Sequence, residues 1–432
     1  MKKTLFILLL FGFVKISIAG WAFVNMGTTN DFTDICLSNA QTFYATTINP
    51  ANYTGVFYKS TNGGTNWFQL PLPSGFMAPY TCHIGSDGLV GFVVGTSIIK
   101  TSNGGVNWIP AYTPTDTVIF FGADLSSGSP KAFWAVGNRM IFQSSEPVIV
   151  RCPSFFSSNA YTRMTLPSGM SSYELTSVAA IDSNGCLIGV NRGASPGLIL
   201  RTTDRGNNWA TITMPAGISI WSIDLDGGGG GFAAGGNNDI AHIYWTANWG
   251  ATWSLVYSAN IGHIKGLHYY GAFGSFAVGH SGSILRNTGS ESPWTLQNSG
   301  VMSQLNAISV LNSNENIIYA VGDNGIMLKT DNGGIGIQKI STEIPNKFSL
   351  SQNYPNPFNP KTIINFQLPM SNYVKLYIYD ALGREIGTLV NEQLKAGTYQ
   401  VDWQADSYAS GVYYYKLITD GFSETKKMIL IK

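Results

Sequence analysis

The sequence is short of charge. Only 11% of its 432 residues are Asp, Glu, Lys or Arg, against ~25% in an ordinary globular protein, and the formal net charge is +1. No electrostatic footprint for nucleic acid or an anionic membrane surface is present. Cysteine is scarce too. Cys36, Cys82, Cys152 and Cys186 are too sparse for a disulfide framework, and buried thiols are expected, with any pairing left open. No C-x-x-C or Cys/His cluster has metal-ligand spacing, and none of His83, His242, His263, His268 and His280 forms an i, i+4 pair. A P-loop is missing. No cofactor and no metal are expected.

Long apolar runs are missing except at the start. Lys2 and Lys3, the apolar stretch Leu5 to Val14 and the small-x-small tripeptide Ser17-Ile18-Ala19 read as a signal peptide over residues 1–19, cleaved before Gly20. A membrane anchor is the alternative, but ten uninterrupted apolar residues fall short of the ~20 a spanning helix needs. Sec export to the periplasm follows, with no transmembrane segment after cleavage.

The chain is rich in Gly (49), Tyr (21) and Trp (11), and one phrase recurs. KSTNGGTNW (Lys59 to Trp67) returns as KTSNGGVNW (Lys100 to Trp108), RTTDRGNNW (Arg201 to Trp209) and WTANWGATW (Trp245 to Trp253). A frayed copy ends at Trp294, and a truncated one, KTDNGGIG, starts at Lys329. Gaps between Trp67, Trp108, Trp209, Trp253 and Trp294 are 41, 101, 44 and 41 residues, the longest spanning two units. Units of roughly forty residues with four short strands are β-propeller blades. Counting from Trp21 to the last copy gives seven blades over residues 20–337, six and eight being the neighbouring counts. Trp21 is expected to supply the outer strand of the last blade and close the ring.

The phrase reads as structural. Thr101 can bond turn backbone, Asn103 can form an Asx-type bond, Gly105 permits positive φ, and Trp108 can bury its ring in a seam with its N–H near a partner. The pattern S/T-x-D/N-x-G-x-x-W resembles the Asp-box, or BNR, repeat of sialidases, paired-propeller glycosidases and sorting receptors. The V-G-x-x-G-x-I-x-K-T lead-in resembles propellers related to photosystem II assembly factors. Both resemblances imply a fold and no particular activity.

After Gly336 the texture changes. NKFSLSQNYPNPFNPKTIINFQLP (Asn346 to Pro369) precedes VKLYIYDALG, REIGTLVNEQL, GTYQVDWQA, GVYYYKLITDG and KKMILIK. Six or seven alternating strands fit a small immunoglobulin-like sandwich over 349–432, after a linker at 338–348. NYPNPFNP, with Pro355, Asn356, Pro357 and Phe358, and the closing segment with Lys427 and Lys432 resemble the type A C-terminal sorting domain of the type IX (Por) secretion system. The middle of the module also resembles the Ig-like domain of flagellar-hook cap proteins. The resemblance implies the type IX machinery as partner, an extracellular or outer-membrane-surface destination, and processing near 336–348. An Ig-like domain that binds a ligand of its own is the alternative.

A sialidase-like hydrolase would need an arginine cluster, a Tyr/Glu pair and an acid. The seven propeller arginines (Arg139, Arg151, Arg163, Arg192, Arg201, Arg205 and Arg286) are scattered, and the F/Y-R-I-P motif is missing. A noncatalytic recognition or scaffold module for glycan or protein is the expectation, with an extracellular glycan-cleaving hydrolase the alternative and a structural surface component a third reading. DLDGGGGG (Asp224 to Gly231) reads as a turn rather than a calcium loop. Aligned inner strands place Tyr80, Thr176, Trp221, Lys265 and Asn306 at the central opening. There Tyr and Trp suit sugar stacking or a peptide groove, and Lys265 would attract an acidic group; packing of the blade entries is the plainer alternative.

Overall fold

The computed structural model describes residues 17–18 and 20–432, except 128–129, 142–143, 157–159, 194–195, 215–217, 272–273, 288, 290–292, 298, 332, 335–336, 342 and 406–407. The signal peptide therefore lies almost wholly outside the described residues, as does part of the frayed copy before Trp294. Two compact units form, Val24–Gly336 and a second containing Ile337–Lys432. Among the described residues there is no α-helix, and no helix long and apolar enough to cross a membrane.

The first unit is a seven-bladed propeller. Six antiparallel four-stranded sheets follow one another in chain order, their inner strands being Asp31–Leu37, Thr81–Ile84, Val118–Leu125, Glu174–Ala180, Ser219–Leu225 and Ile264–Tyr269 (blades 1 to 6). Leu305–Leu311, Asn314–Gly322 and Met327–Thr330 build blade 7, and the Val24 N–H donates to the Met327 carbonyl at 2.8 Å. The chain just after Trp21 thus covers the outer edge of the last blade, where an unpaired strand would otherwise offer a row of open hydrogen-bonding groups. Ring closure is built from last blade to first: Asn306 Nδ2 donates to the Phe32 carbonyl (2.9 Å), and the Phe43 and Tyr319 rings meet edge-on at 5.4 Å.

Five copies of the repeated phrase make the same turn. The hydroxyl of Ser60, Thr101, Thr202, Thr246 or Thr330 accepts the amide of a glycine four residues on (Gly64, Gly105, Gly206, Gly250, Gly334) at 2.9–3.0 Å. In four of these turns the next-but-one side chain, Asn62, Asn103, Asp204 or Asn248, accepts the amide four beyond itself at 2.9–3.0 Å. Gly105 has φ +78°, a conformation that costs a side-chain-bearing residue ~1–2 kcal/mol.

Each tryptophan then packs on the preceding blade. Trp67 meets Tyr319, Trp108 meets Phe57, Trp209 meets Trp134 and Trp294 meets Phe232, all near edge-on, while Trp253 joins the core that holds Leu187 and Ile199 of blade 4. The N–H of Trp67 donates to the Gly64 carbonyl at 3.2 Å. The expected partner for the Trp108 N–H is not found: among the described residues the N–H groups of Trp108, Trp209, Trp253 and Trp294 are buried without an acceptor. At these tryptophans it is apolar burial of the ring, rather than an indole hydrogen bond, that contributes to the seam.

The second unit is a sandwich of two four-stranded sheets. One contains Ile337–Ser341, Gly397–Gln404, Lys361–Leu368 and Ser349–Leu350 in that spatial order; the other contains Glu385–Leu394, Asn372–Tyr379, Gly411–Thr419 and Phe422–Leu430. Strict alternation, such as Lys361–Leu368 with every second residue buried, turns one face of each sheet into a shared core around Ile364, Phe366, Leu376, Tyr415 and Leu417. The expected linker at 338–348 is corrected here: Ile337–Ser341 is a paired edge strand of this sandwich, held by Gly397–Gln404.

Candidate functional site

Six inner strands carry a β-bulge at the same place. Pairing skips Thr33, Phe121, Thr176, Trp221, Lys265 and Asn306, so that two residues oppose one on the second strand. Tyr80, directly before the inner strand of blade 2, holds the equivalent place. A bulge re-aims the side chain it displaces, and all seven line one cavity of about 500 Å³ at the mouth of the ring. The five positions read from sequence are thus brought together. Phe121 and Thr33 join them without a sequence signal of their own, Phe121 because the blade 3 unit lacks the repeated turn.

The seven side chains fall into two groups. Thr33 Oγ1 donates to the Pro79 carbonyl (2.7 Å), Thr176 Oγ1 to that of Ile220 (2.5 Å) and Asn306 Nδ2 to that of Phe32 (2.9 Å). Each bond reaches the residue preceding the next blade's own mouth residue, so Thr176 and Asn306 stitch blade entries together. The remaining four form two walls. Tyr80 and Phe121, on blades 2 and 3, meet edge-on at 4.9 Å. Lys265, on blade 6, places Nζ 3.6 Å from the centroid of the Trp221 ring of blade 5.

The Trp221 ring also lies 5.8 Å from that of His263, whose Nε2 is 3.1 Å from Gln304 Oε1. Two neighbours of the Trp221 ring are thus Lys265 and His263. The electrostatics differ from expectation. Asp31, Asp34, Glu174 and Asp323 line the cavity with Lys265 as the one Lys or Arg among its described residues. Burial lowers the Lys265 pKa to about 8, against the pull of Glu174 and Asp323. Burial raises Asp34 to about 7, although its carboxylate accepts the N–H groups of Cys82 (3.0 Å) and Ile35 (2.8 Å).

None of the seven propeller arginines lines the cavity. Arg139 and Arg163 pair with Glu146 and Asp116, Arg151 and Arg201 donate to backbone carbonyls, Arg192 and Arg205 to Tyr173 and Asn184, and Arg286 to the Gly333 carbonyl. Asp226 Oδ1 accepts the N–H groups of Gly228 and Gly230, which makes DLDGGGGG a self-capped turn. No group of three or more metal-ligating side chains occurs among the described residues.

In the second unit the NYPNPFNP segment lies along the closing strand. Phe358 is buried, its N–H donates to the Ile429 carbonyl (3.0 Å), and its carbonyl accepts from Ile431 (3.0 Å). Asn356 Oδ1 accepts the Ile429 N–H at 2.9 Å, and Gln352 Nε2 donates to the Lys427 carbonyl at 2.8 Å. Residues 352–432 match the family model described as the secretion system C-terminal sorting domain. The C-terminal unit is a sorting domain of that family. It addresses the protein to the type IX machinery and hence to the cell surface or extracellular space. The sorting domain's two signature segments, distant in sequence, are one hydrogen-bonded structure.

No curated protein matches the chain. Among solved structures, YCF48 bound to D1 peptide is similar at 12% identity and TM-score 0.53, covering 73% of this chain and 98% of its own. YCF48 from Cyanidioschyzon merolae (15%, TM-score 0.38, 72% and 98%) and the C-terminal WD40 domain of Sif2 (11%, TM-score 0.45, 74% and 99%) are further matches. At these identities the likeness to YCF48 bound to D1 peptide establishes the propeller fold alone.

Proposed function

We propose that the protein enters the periplasm through a Sec signal peptide at residues 1–19, is exported by its sorting domain, and acts outside the cell as a noncatalytic recognition module for glycan or protein. The supporting observation is the ring of mouth residues: one side chain per blade, six of them displaced by a bulge, converges on a single cavity. Scaffold needs alone account for Thr33, Thr176 and Asn306, which bond the next blade, and leave Tyr80, Phe121, Trp221 and Lys265 to be read as a binding surface. The propeller of YCF48, described bound to a peptide, offers a precedent for ligand binding on this fold.

A glycan-cleaving hydrolase is the second reading, favoured by the four carboxylates of the cavity and by the raised Asp34. Against it, Asp34 is tied to two backbone N–H groups, and the lining holds no arginine to grip an acidic sugar. The mature chain, applied to arrays of polysaccharides and peptides with released reducing ends measured in parallel, separates the readings. Retention without product, lost in Trp221→Ala, supports recognition; product release overturns it.

A further inference from the structure

The cavity is acidic around a single ammonium. Carboxylates come from blade 1 (Asp31 and Asp34), blade 4 (Glu174) and blade 7 (Asp323), while Lys265 stands on blade 6 within electrostatic reach of Glu174 and Asp323. Between blades 1 and 4 lie the Tyr80 and Phe121 rings, and the Asp31 charge contributes, after burial, to raising the Tyr80 pKa to about 12. That side of the mouth offers aromatic rings beside carboxylates with no cation among its described lining residues, a setting that attracts ammonium or guanidinium groups. The Lys265 ammonium lies over Trp221, and no hydrogen bond or ion pair ties it to another described residue. Its three N–H donors are open to an acceptor on a ligand.

We propose that the mouth cavity receives a lysine or arginine side chain presented by an extended peptide, the cation entering among Asp31, Tyr80, Phe121 and Glu174 while a main-chain carbonyl of the same peptide accepts a hydrogen bond from Lys265. This rests on the recognition reading and narrows it to a ligand class. An anion would meet four carboxyl groups for one ammonium. A neutral sugar would find the Trp221 ring already flanked by Lys265 and His263. A cavity of about 500 Å³ accommodates one long side chain with the peptide groups beside it.

The test uses the mature full chain and three glycine pentapeptides, N-acetylated and C-amidated, with Arg, Gln or Glu at the centre. Binding is followed by calorimetry and by tryptophan fluorescence. The Arg peptide is expected to bind at least about tenfold more tightly than the Gln peptide, with the Glu peptide weakest and added salt eroding the difference. Glu174→Gln should reduce Arg-peptide affinity severalfold without moving the unfolding temperature, and Lys265→Met should weaken the Arg and Gln peptides alike. Preference for the Glu peptide, indifference to Glu174→Gln, or no Arg-peptide binding at about 10 mM overturns the proposal. If the peptides fail while polysaccharide is retained and Trp221→Ala abolishes retention, the ligand class falls and the recognition reading stands. Silence from both probes removes both.

Discussion

Lys265 Nζ lies 3.6 Å from the centroid of the Trp221 ring, a contact between neighbouring blades across the mouth of the propeller. Burial favours the neutral amine there, and the pKa near 8 sets when it reacts. Amine-selective acylation of Lys265, followed by peptide mass spectrometry, should rise through a midpoint near pH 8 and then level off. Exposed lysines should keep rising toward the ordinary value near 10.4. A Lys265 profile that tracks the exposed lysines would show that its amine is not shielded by the ring and the cavity wall.

Three aspartates bridge alternate seams. Asp34 accepts the Cys82 N–H (3.0 Å), Asp124 the Ala180 N–H (2.8 Å) and Asp224 the Tyr269 N–H (2.8 Å), joining blades 1 to 2, 3 to 4 and 5 to 6. Burial raises their pKa values to about 7, 6 and 7. Because the folded values exceed the unfolded ones, their stabilising contribution is complete below about pH 4 and is lost as pH rises through 6 to 7. Replacing all three by Asn should flatten that part of the decline in unfolding temperature between pH 5 and pH 8. Melting curves of wild type and variant at both values decide it; an unchanged slope would mean that the carboxylates titrate normally.

The turn staples can be removed singly. Thr101→Val deletes the acceptor of the Gly105 amide and should cost about 1 kcal/mol. Gly105→Ala should cost more, since φ is +78° and an added Cβ would sit 3.1 Å from Leu70 Cδ1 and 3.2 Å from Trp108 Nε1. Urea unfolding should rank the two in that order, and the reverse order would contradict the assignment of the positive-φ residue as the costlier element.

Export depends on the sorting domain as a folded object. Deleting 346–432 should leave the protein in the periplasm. Phe358→Ala removes a buried ring that packs against Trp403 at 5.4 Å, a loss of about 3–5 kcal/mol, and should lower the surface-delivered fraction in proportion. Fractionation with an antibody to the propeller measures both, and normal delivery of the deletion variant would refute the sorting role.

Burial also pushes the thiols up, Cys36 to about 12 and Cys82 and Cys186 well above the usual range. A colorimetric thiol reagent at pH 8 should therefore find almost no reactive cysteine until urea unfolds the chain. Rapid reaction in the native state would show that these thiols are accessible.

Blades, tryptophan seams and address are all legible along the chain. A hydroxyl, an Asn or Asp, a glycine and a tryptophan at fixed spacing are local requirements of one turn, so they recur visibly wherever that turn is built. The period-two alternation of GVYYYKL and its neighbours likewise shows a sandwich, and NYPNPFNP is legible because its residues are contiguous. The mouth positions could be found because each inner strand begins in the same register. What those positions do is set by contacts between blades. The bulge adds one residue without disturbing the apolar pattern, so nothing local marks Phe121 or Thr33 as displaced toward the opening. Whether Thr176 and Asn306 face a ligand or bond Ile220 and Phe32 depends on residues 44 and 274 positions away, brought into reach by blade adjacency and ring closure. The flanking of Trp221 by Lys265 and His263 has the same origin. Only the packing of neighbouring blades sets which groups at the mouth are already engaged, because that packing joins side chains the local code treats as unrelated.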